Sequence, residues 1–334
     1  MDQPSFTKPA GTGSGTFRGT RVHLTGLDAD LFRHPLDRQA TNNLKRVPGF
    51  DKAVAKFIEW GVERIEYVEH TASGVRVGPR QLPRVHGLLR EACAVLDLPE
   101  PELYVRQGPP NAYTSGHNHP YIVLFTELID LMSEDELLGV LSHEAGHIKC
   151  GHVLYKTMAR VFGGAASAGM RRVNPMTVAV GLGIRAALTS WDRASEFTAD
   201  RAAMLATQDL DACVGMMMKL AGGVRSDEMS TAAFLEQAQH LDVLAGESRI
   251  SRLHRFQLRV GSGHPLVVER ARRFQEWITS GEPGDIVARY AAAAATVPVQ
   301  SSATATATAA ATEATVPAQA TIPTQPVVGS DGRY

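Results

Sequence analysis

The sequence predicts an α+β fold, mostly helices around a small sheet. Two observations carry that expectation: apolar residues at helical spacing in long segments, and short apolar runs bounded by turn residues. Residues 36–61 show helical periodicity, with Val54, Phe57, Ile58 and Trp60 among the apolar positions. Arg64–His70 alternates through Ile65 and Tyr67 and reads as a strand. Leu82–Leu96 reads as an amphipathic helix that ends before Pro99. Glu102–Arg106 and Tyr121–Phe125 are short strands, separated by the turn-rich segments Gly108–Asn111 and Ser115–Pro120. Ser133 and Glu136 then form an S-x-x-E capping box, so a helix starts there and buries Leu137, Leu138, Val140 and Leu141.

The first 20 residues are rich in Gly, Ser, Thr and Pro and read as disordered, as does the Ala/Thr/Pro tail from about Ala291 to Tyr334. Between them lies one folded unit, approximately residues 21–290. The chain is 44% hydrophobic and 21% charged, ordinary for a globular protein, and its net charge of −1 gives no footprint for nucleic acid. Cys93, Cys150 and Cys213 are odd in number and lack CxxC spacing, which argues for a reducing compartment. The opening residues have no apolar leader, and the expectation is a cytoplasmic protein. Val161–Met170 and Val173–Ile184 are each too short to cross a bilayer and are interrupted by arginines. They read as a buried helical hairpin, which leaves room for peripheral membrane contact.

Chemistry enters at His143-Glu144-Ala145-Gly146-His147. On a helix, residues four apart share a face, so both imidazoles can reach one cation. Glu144 sits about 100° further round, placed to act on water without ligating the metal. A catalytic zinc takes three protein ligands and keeps one position for water. The local H-E-x-x-H-x-x-G-x-x-H pattern fails, because Cys150 and Val153 stand where its Gly and third His would be. Glu196 is the better third ligand. Asp200, four residues on, shares its helix face and can accept a hydrogen bond from the far nitrogen of a ligand histidine. One zinc ion per chain would then acidify a water, with Glu144 as general base and later as acid toward the leaving amine.

Four motifs occur together: Asn111-Ala112-Tyr113, HEAGH, Glu196-x-x-x-Asp200 and Gly263-His264-Pro265. From about Leu82 to Trp277 the chain resembles the HtpX and CaaX-prenyl-endopeptidase-like family of gluzincin zinc metallopeptidases, and the resemblance implies a helical N-terminal extension, 21–81, packed on a catalytic unit, 82–290. The resemblance implies a zincin-like fold with the HExxH helix at the active site and zinc on His143, His147 and Glu196. It implies Glu144 as the general base, His264 as an oxyanion donor and Arg270 as a supporting charge. It also implies an edge strand at Asn111, Ala112 and Tyr113 that pairs with an extended polypeptide substrate. The short, arginine-interrupted 161–188 region departs from the family's membrane members, which weakens any carry-over of prenyl-protein or membrane-protein substrates.

Other residues read as structural: His117 and His119 as loop histidines, Cys150 as a small buried hydrophobe, and Met216–Met218 as core filler. His152, five residues after His147, would turn off the zinc face of a continuous helix. The function expected is a zinc endopeptidase acting on extended or unfolded polypeptides. The alternatives are a non-hydrolysing, zinc-stabilised binding module and a zinc aminopeptidase. The oligomeric state is left open.

Overall fold

A computed structural model of the protein describes residues 21–165, 175–223, 228–246 and 266–296. The expectations for 1–20, for the tail beyond Thr296 and for His264 lie outside the described residues.

The chain opens with α1 (Pro35–Lys45), α2 (Phe50–Glu59) and α3 (Val62–Ser73). The strand expected at Arg64–His70 is corrected: this segment lies inside α3. Its alternation misleads because Ile65 and Val68 are among the exposed large hydrophobics, 67% and 59% exposed. The face that matters is Tyr67 and His70, three apart, whose rings both meet Tyr121 of the sheet.

After β1 (Val75–Arg76), α4 (Pro83–Leu96) starts with proline in its first turn, where the missing N–H costs nothing. Val85, Leu88, Leu89, Ala92, Cys93, Val95 and Leu96 form its buried stripe. The strands β2 (Glu102–Arg106), β3 (Ala112–Ser115) and β4 (Tyr121–Phe125) follow. Among the described residues they form a four-stranded sheet in the order β1-β2-β4-β3. β2 and β4 are parallel, while β3 pairs antiparallel with β4 and forms an edge. β4 is apolar throughout because both its faces are covered. Ile122 and Leu124 join Leu103 and Val105 in the main core, while Tyr121 and Val123 join Tyr104 in an aromatic cluster with Tyr67 and Tyr113.

Beyond α5 (Thr126–Leu131) come α6 (Glu134–Lys149), α7 (Val153–Ala165), α8 (Pro175–Thr207), α9 (Leu210–Gly222) and α10 (Thr231–Gly246). α11 (Val267–Thr279) and α12 (Glu282–Thr296) complete the described residues. α12 runs past Ala291 to Thr296, because a run of alanine, the best helix former, extends the helix before the proline-rich sequence begins. The main core lies between the sheet, α4, α6, the end of α8 and α9, and there Met216–Met218 are buried. A second cluster joins Leu44 of α1 and Phe50 and Phe57 of α2 to Met158, Ile184, Leu188 and Trp191. Trp191 is 1% exposed and donates from Nε1 to Thr41 Oγ1 over 2.8 Å, so the N-terminal helices are tied to α8. Among the described residues no helix is long and apolar enough to cross a membrane.

Candidate active site

The capping box sets the start of α6. Ser133 Oγ accepts from the Glu136 N–H (3.3 Å) and Glu136 Oε2 accepts from the Ser133 N–H (2.7 Å). From that start the helix turns His143, Glu144 and His147 inward, and all three are buried. Gly146 explains how α8 comes close enough to complete the site. A Cβ at Gly146 would lie 2.5 Å from Ala202 Cβ and 3.5 Å from Ala199 Cα. The two helices meet on small residues, and Glu196 of α8 reaches both histidines as a result.

His143 Nε2 lies 3.3 Å from Glu196 Oε2, and His147 Nε2 lies 3.3 Å from Glu196 Oε1. The two rings are edge-on, 4.9 Å apart. The ligand atoms of His143, His147 and Glu196 all fall within 4.8 Å of one another. Tetrahedral ligands at ~2.1 Å from a zinc ion stand roughly 3.4 Å apart, so the spacing fits one. His147 Nε2 is buried and lacks a hydrogen bond of good geometry, as a ligand nitrogen should. Two imidazoles and a carboxylate, with no thiol among them, suit zinc chemistry.

Around these three, each group has a charged or polar partner. Asp200 Oδ1 lies 3.1 Å from His143 Nδ1, and Arg270 grips Asp200 through Nε (2.9 Å) and Nη2 (2.5 Å). Arg270 Nη1 also lies 3.5 Å from Glu196 Oε2. On the other side, Lys156 Nζ contacts Glu196 Oε1 at 2.5 Å and Asp192 Oδ1 at 3.0 Å. Burial opposes charge on His143, but its hydrogen bonds with Asp200 and Glu196 outweigh burial and raise its pKa to about 9. Burial and then the Lys156 ammonium hold His147 well below the ordinary imidazole value. Burial would raise Glu196, yet Lys156 and the two histidines hold it well below the carboxylate range. Asp200 is likewise lowered, with burial outweighed chiefly by Arg270.

The fourth wall is the edge strand. Phe125 N–H bonds to the Asn111 carbonyl, and Tyr113 faces Val123, so Ala112 and Thr114 turn their backbone groups toward the free edge. The side chain of Thr114 stands off one face of the sheet and enters the site, where Oγ1 donates to Glu144 Oε2 over 2.6 Å. Arg160 lies over the Tyr113 ring at 4.6 Å and donates to the Thr114 carbonyl over 3.1 Å. The Ala112 N–H meets Asn111 Oδ1 at 2.9 Å.

Thus His143, Glu144, His147, Glu196, Asp200 and Arg270 converge, and Asn111, Ala112 and Tyr113 lie beside them, joined through Thr114. Sequence reasoning missed Thr114, Lys156, His152 and Asp37. Thr114 directly follows Asn111-Ala112-Tyr113, and strand alternation there would have pointed to it. His152 comes back to His147 because α6 stops at Lys149 and Gly151 adopts φ 68°, reversing the chain so that the His152 N–H bonds to the His147 carbonyl. Nothing local in the sequence marks Lys156 or Asp37. Burial of Cys150 pushes its thiol pKa up to about 12, in keeping with the small-hydrophobe reading.

A helix-borne HExxH completed by a buried glutamate from a second helix defines the class as a metallopeptidase. The chain belongs to peptidase family M48, whose profile matches residues 79–278. It is 40% identical to the plastoglobule-localized metallopeptidase 48, chloroplastic, of Arabidopsis thaliana, over 79% of this chain and 76% of that one. It is 26% identical to a protease HtpX homolog of Sulfurihydrogenibium sp. over 61% of this chain and 77% of the relative. A protease HtpX homolog of Burkholderia multivorans is 28% identical over 60% and 75%. No solved structure matches the chain. The protein is accordingly a metalloprotease. The cytoplasmic expectation is corrected: the Arabidopsis relative is named as plastoglobule-localized and chloroplastic. Three unpaired cysteines speak against a disulfide framework and do not single out the cytoplasm.

Proposed function

We propose that the protein is a zinc-dependent endopeptidase that hydrolyses peptide bonds in extended or unfolded polypeptides. The observation that carries the reading is the convergence of His143, His147 and Glu196 within 4.8 Å, beside a buried Glu144 held by Thr114. These three side chains would hold one zinc ion. Bound zinc supplies Lewis acidity, bringing the pKa of a water toward ~7.

The chain's own residues do the rest. Glu144 removes the proton from the attacking water and returns it to the departing amine. Thr114 fixes Oε2 of Glu144 and leaves Oε1 to handle the proton. Asp200, oriented by two hydrogen bonds from Arg270, keeps His143 protonated on Nδ1, so that Nε2 faces the metal. The outward Ala112 carbonyl and Thr114 N–H would pair with an extended substrate and so read backbone more than side chains, while Arg160 holds the Thr114 carbonyl and Asn111 the Ala112 N–H. His264 is assigned the oxyanion donor on the family resemblance, and His264→Ala should lower kcat while leaving zinc bound. Residues 82–290 would form the catalytic unit, with 21–81 packed against it.

An aminopeptidase needs a carboxylate for the substrate's amino group. Among the described residues, Asp192 and Asp200 beside the metal set already face Lys156 and Arg270, which favours internal cleavage. Casein and matched peptides with free and acetylated N-termini test the reading. Cleavage of casein and the acetylated peptide, abolished by chelation and restored by zinc, is expected. Cleavage confined to free N-termini, or unaffected by chelation, would refute it.

A further inference from the structure

His147 Nδ1 lies 3.1 Å from His152 Nδ1, and His152 Nε2 lies 3.0 Å from Asp37 Oδ2. All three side chains are buried, with Asp37 0%, His152 1% and His147 0% exposed. Asp37 stands on α1, outside residues 79–278 that match the family profile. We propose that Asp37 is a positioning residue for the metal site, acting through His152 to hold His147 in the tautomer and orientation that present Nε2 to the cation. The proposal rests on the reading of His147 as a metal ligand.

Two ring nitrogens can share a hydrogen bond only if one carries the proton and the other offers a lone pair. If His147 binds metal through Nε2, its proton is on Nδ1, so His152 Nδ1 accepts. A neutral His152 then carries its own proton on Nε2 and must donate it. A carboxylate can only accept, and Asp37 Oδ2 is the acceptor at that nitrogen. The reverse arrangement would place the His147 proton on Nε2 and block the metal. Arg33 Nη1 also lies 3.4 Å from His152 Nε2, but both are donors in this arrangement, and Arg33 Nη1 instead serves Asp37 Oδ2 at 3.3 Å.

Asp37 is itself held in place. Thr198 Oγ1 donates to its Oδ2 over 2.8 Å and Thr41 Oγ1 to its Oδ1 over 3.2 Å, while Arg33 Nη2 bonds to the Cys150 carbonyl over 2.8 Å. Thr198 lies between Glu196 and Asp200 on α8 and also accepts from the His34 N–H over 3.1 Å. His143 thus has its carboxylate from α8, and His147 has an equivalent one relayed from the first helix of the N-terminal extension. This makes that extension part of the metal site.

The test measures zinc affinity of the full chain by competition with a chromophoric chelator, together with the visible spectrum of the cobalt-substituted protein. Asp37→Asn lets the side-chain amide donate to His152 and admits the wrong tautomer. His152→Phe keeps a ring against Trp191 and removes the relay nitrogens. Each should weaken zinc binding by about 10- to 100-fold and alter the cobalt spectrum. The double variant should be no weaker than the worse single, because both break one chain. Wild-type zinc affinity in either folded variant, or losses that multiply in the double, would overturn the relay. If Asp37→Asn does not fold, the affinity and spectrum of His152→Phe decide alone. A wild-type protein that binds no zinc, or a His147→Ala variant that binds it normally, would instead overturn the ligand assignment.

Discussion

Thr114→Val isolates one hydrogen bond at the proposed base. Valine matches threonine in shape, so it fills the same 0% exposed space and leaves the β3–β4 pairing intact. What it removes is the hydroxyl that donates to Glu144 Oε2 over 2.6 Å. Thr114 Oγ1 also lies 3.2 Å from the Glu144 carbonyl, but one hydroxyl carries one proton, and the shorter, charged acceptor takes it. A hydrogen bond to a buried charge contributes about 1.5–3 kcal/mol. At 1.36 kcal/mol per tenfold in rate, losing it should lower kcat by roughly 10- to 150-fold. KM should change little, because the backbone groups proposed to meet substrate remain. The assay is steady-state casein or quenched-peptide hydrolysis by zinc-loaded protein, with zinc content measured in parallel. Thr114→Ser should recover most of the rate. A Thr114→Val enzyme with wild-type kcat, or a fall in rate that Ser does not rescue, would refute the positioning of Glu144 by Thr114.

Other consequences follow from the same contacts. Gly146→Ala would put a methyl 2.5 Å from Ala202 Cβ and force α6 from α8, costing about 1–3 kcal/mol in denaturant unfolding and weakening zinc binding; unchanged stability would contradict the close-approach argument. Asp200→Asn takes the charge from Arg270's bidentate partner but leaves Glu196 3.5 Å away, so the metal-free protein should lose about 1.5–3 kcal/mol of stability, measured by urea unfolding; unchanged stability would contradict the pairing. His34, whose Nδ1 caps α1, has its pKa lowered to about 4 by burial, then by Arg201 and Arg273. Because the folded value lies below the unfolded 6.5, its contribution is fully present above pH 6.5 and falls as pH drops toward 4, by up to about 3 kcal/mol. His34→Asn keeps a capping acceptor, so its stability should fall less than the wild type's between pH 7 and 4.5; equal losses would count against the assignment.

Much of this was legible where one local rule governed. The Ser133–Glu136 box announced α6 because both halves of a cap lie within four residues. The strands at Glu102 and Tyr121 were visible as apolar runs between turns. The i,i+4 spacing of Glu196 and Asp200 puts them on one helix face, and the HEAGH motif gives that face its candidate role. Legibility failed where long-range packing decided. Arg64–His70 alternates like a strand, but Tyr67 and His70 meet the sheet as a helical pair while Ile65 faces solvent. A continuous helix would turn His152 off the zinc face, but the left-handed Gly151 interrupts it. Asp37 and His152 are 115 residues apart, and only the docking of α1 on α8 brings them together.

On the proposed mechanism, Glu144 performs the proton chemistry at a metal held by His143, His147 and Glu196. Titrating zinc into chelator-stripped wild type and Glu144→Gln, while following zinc bound and casein cleaved, tests it most directly. One equivalent of zinc should bind both proteins with similar affinity and restore cleavage only in the wild type. A Glu144→Gln protein that cleaves at the wild-type rate, or a wild type whose activity ignores zinc, would contradict it.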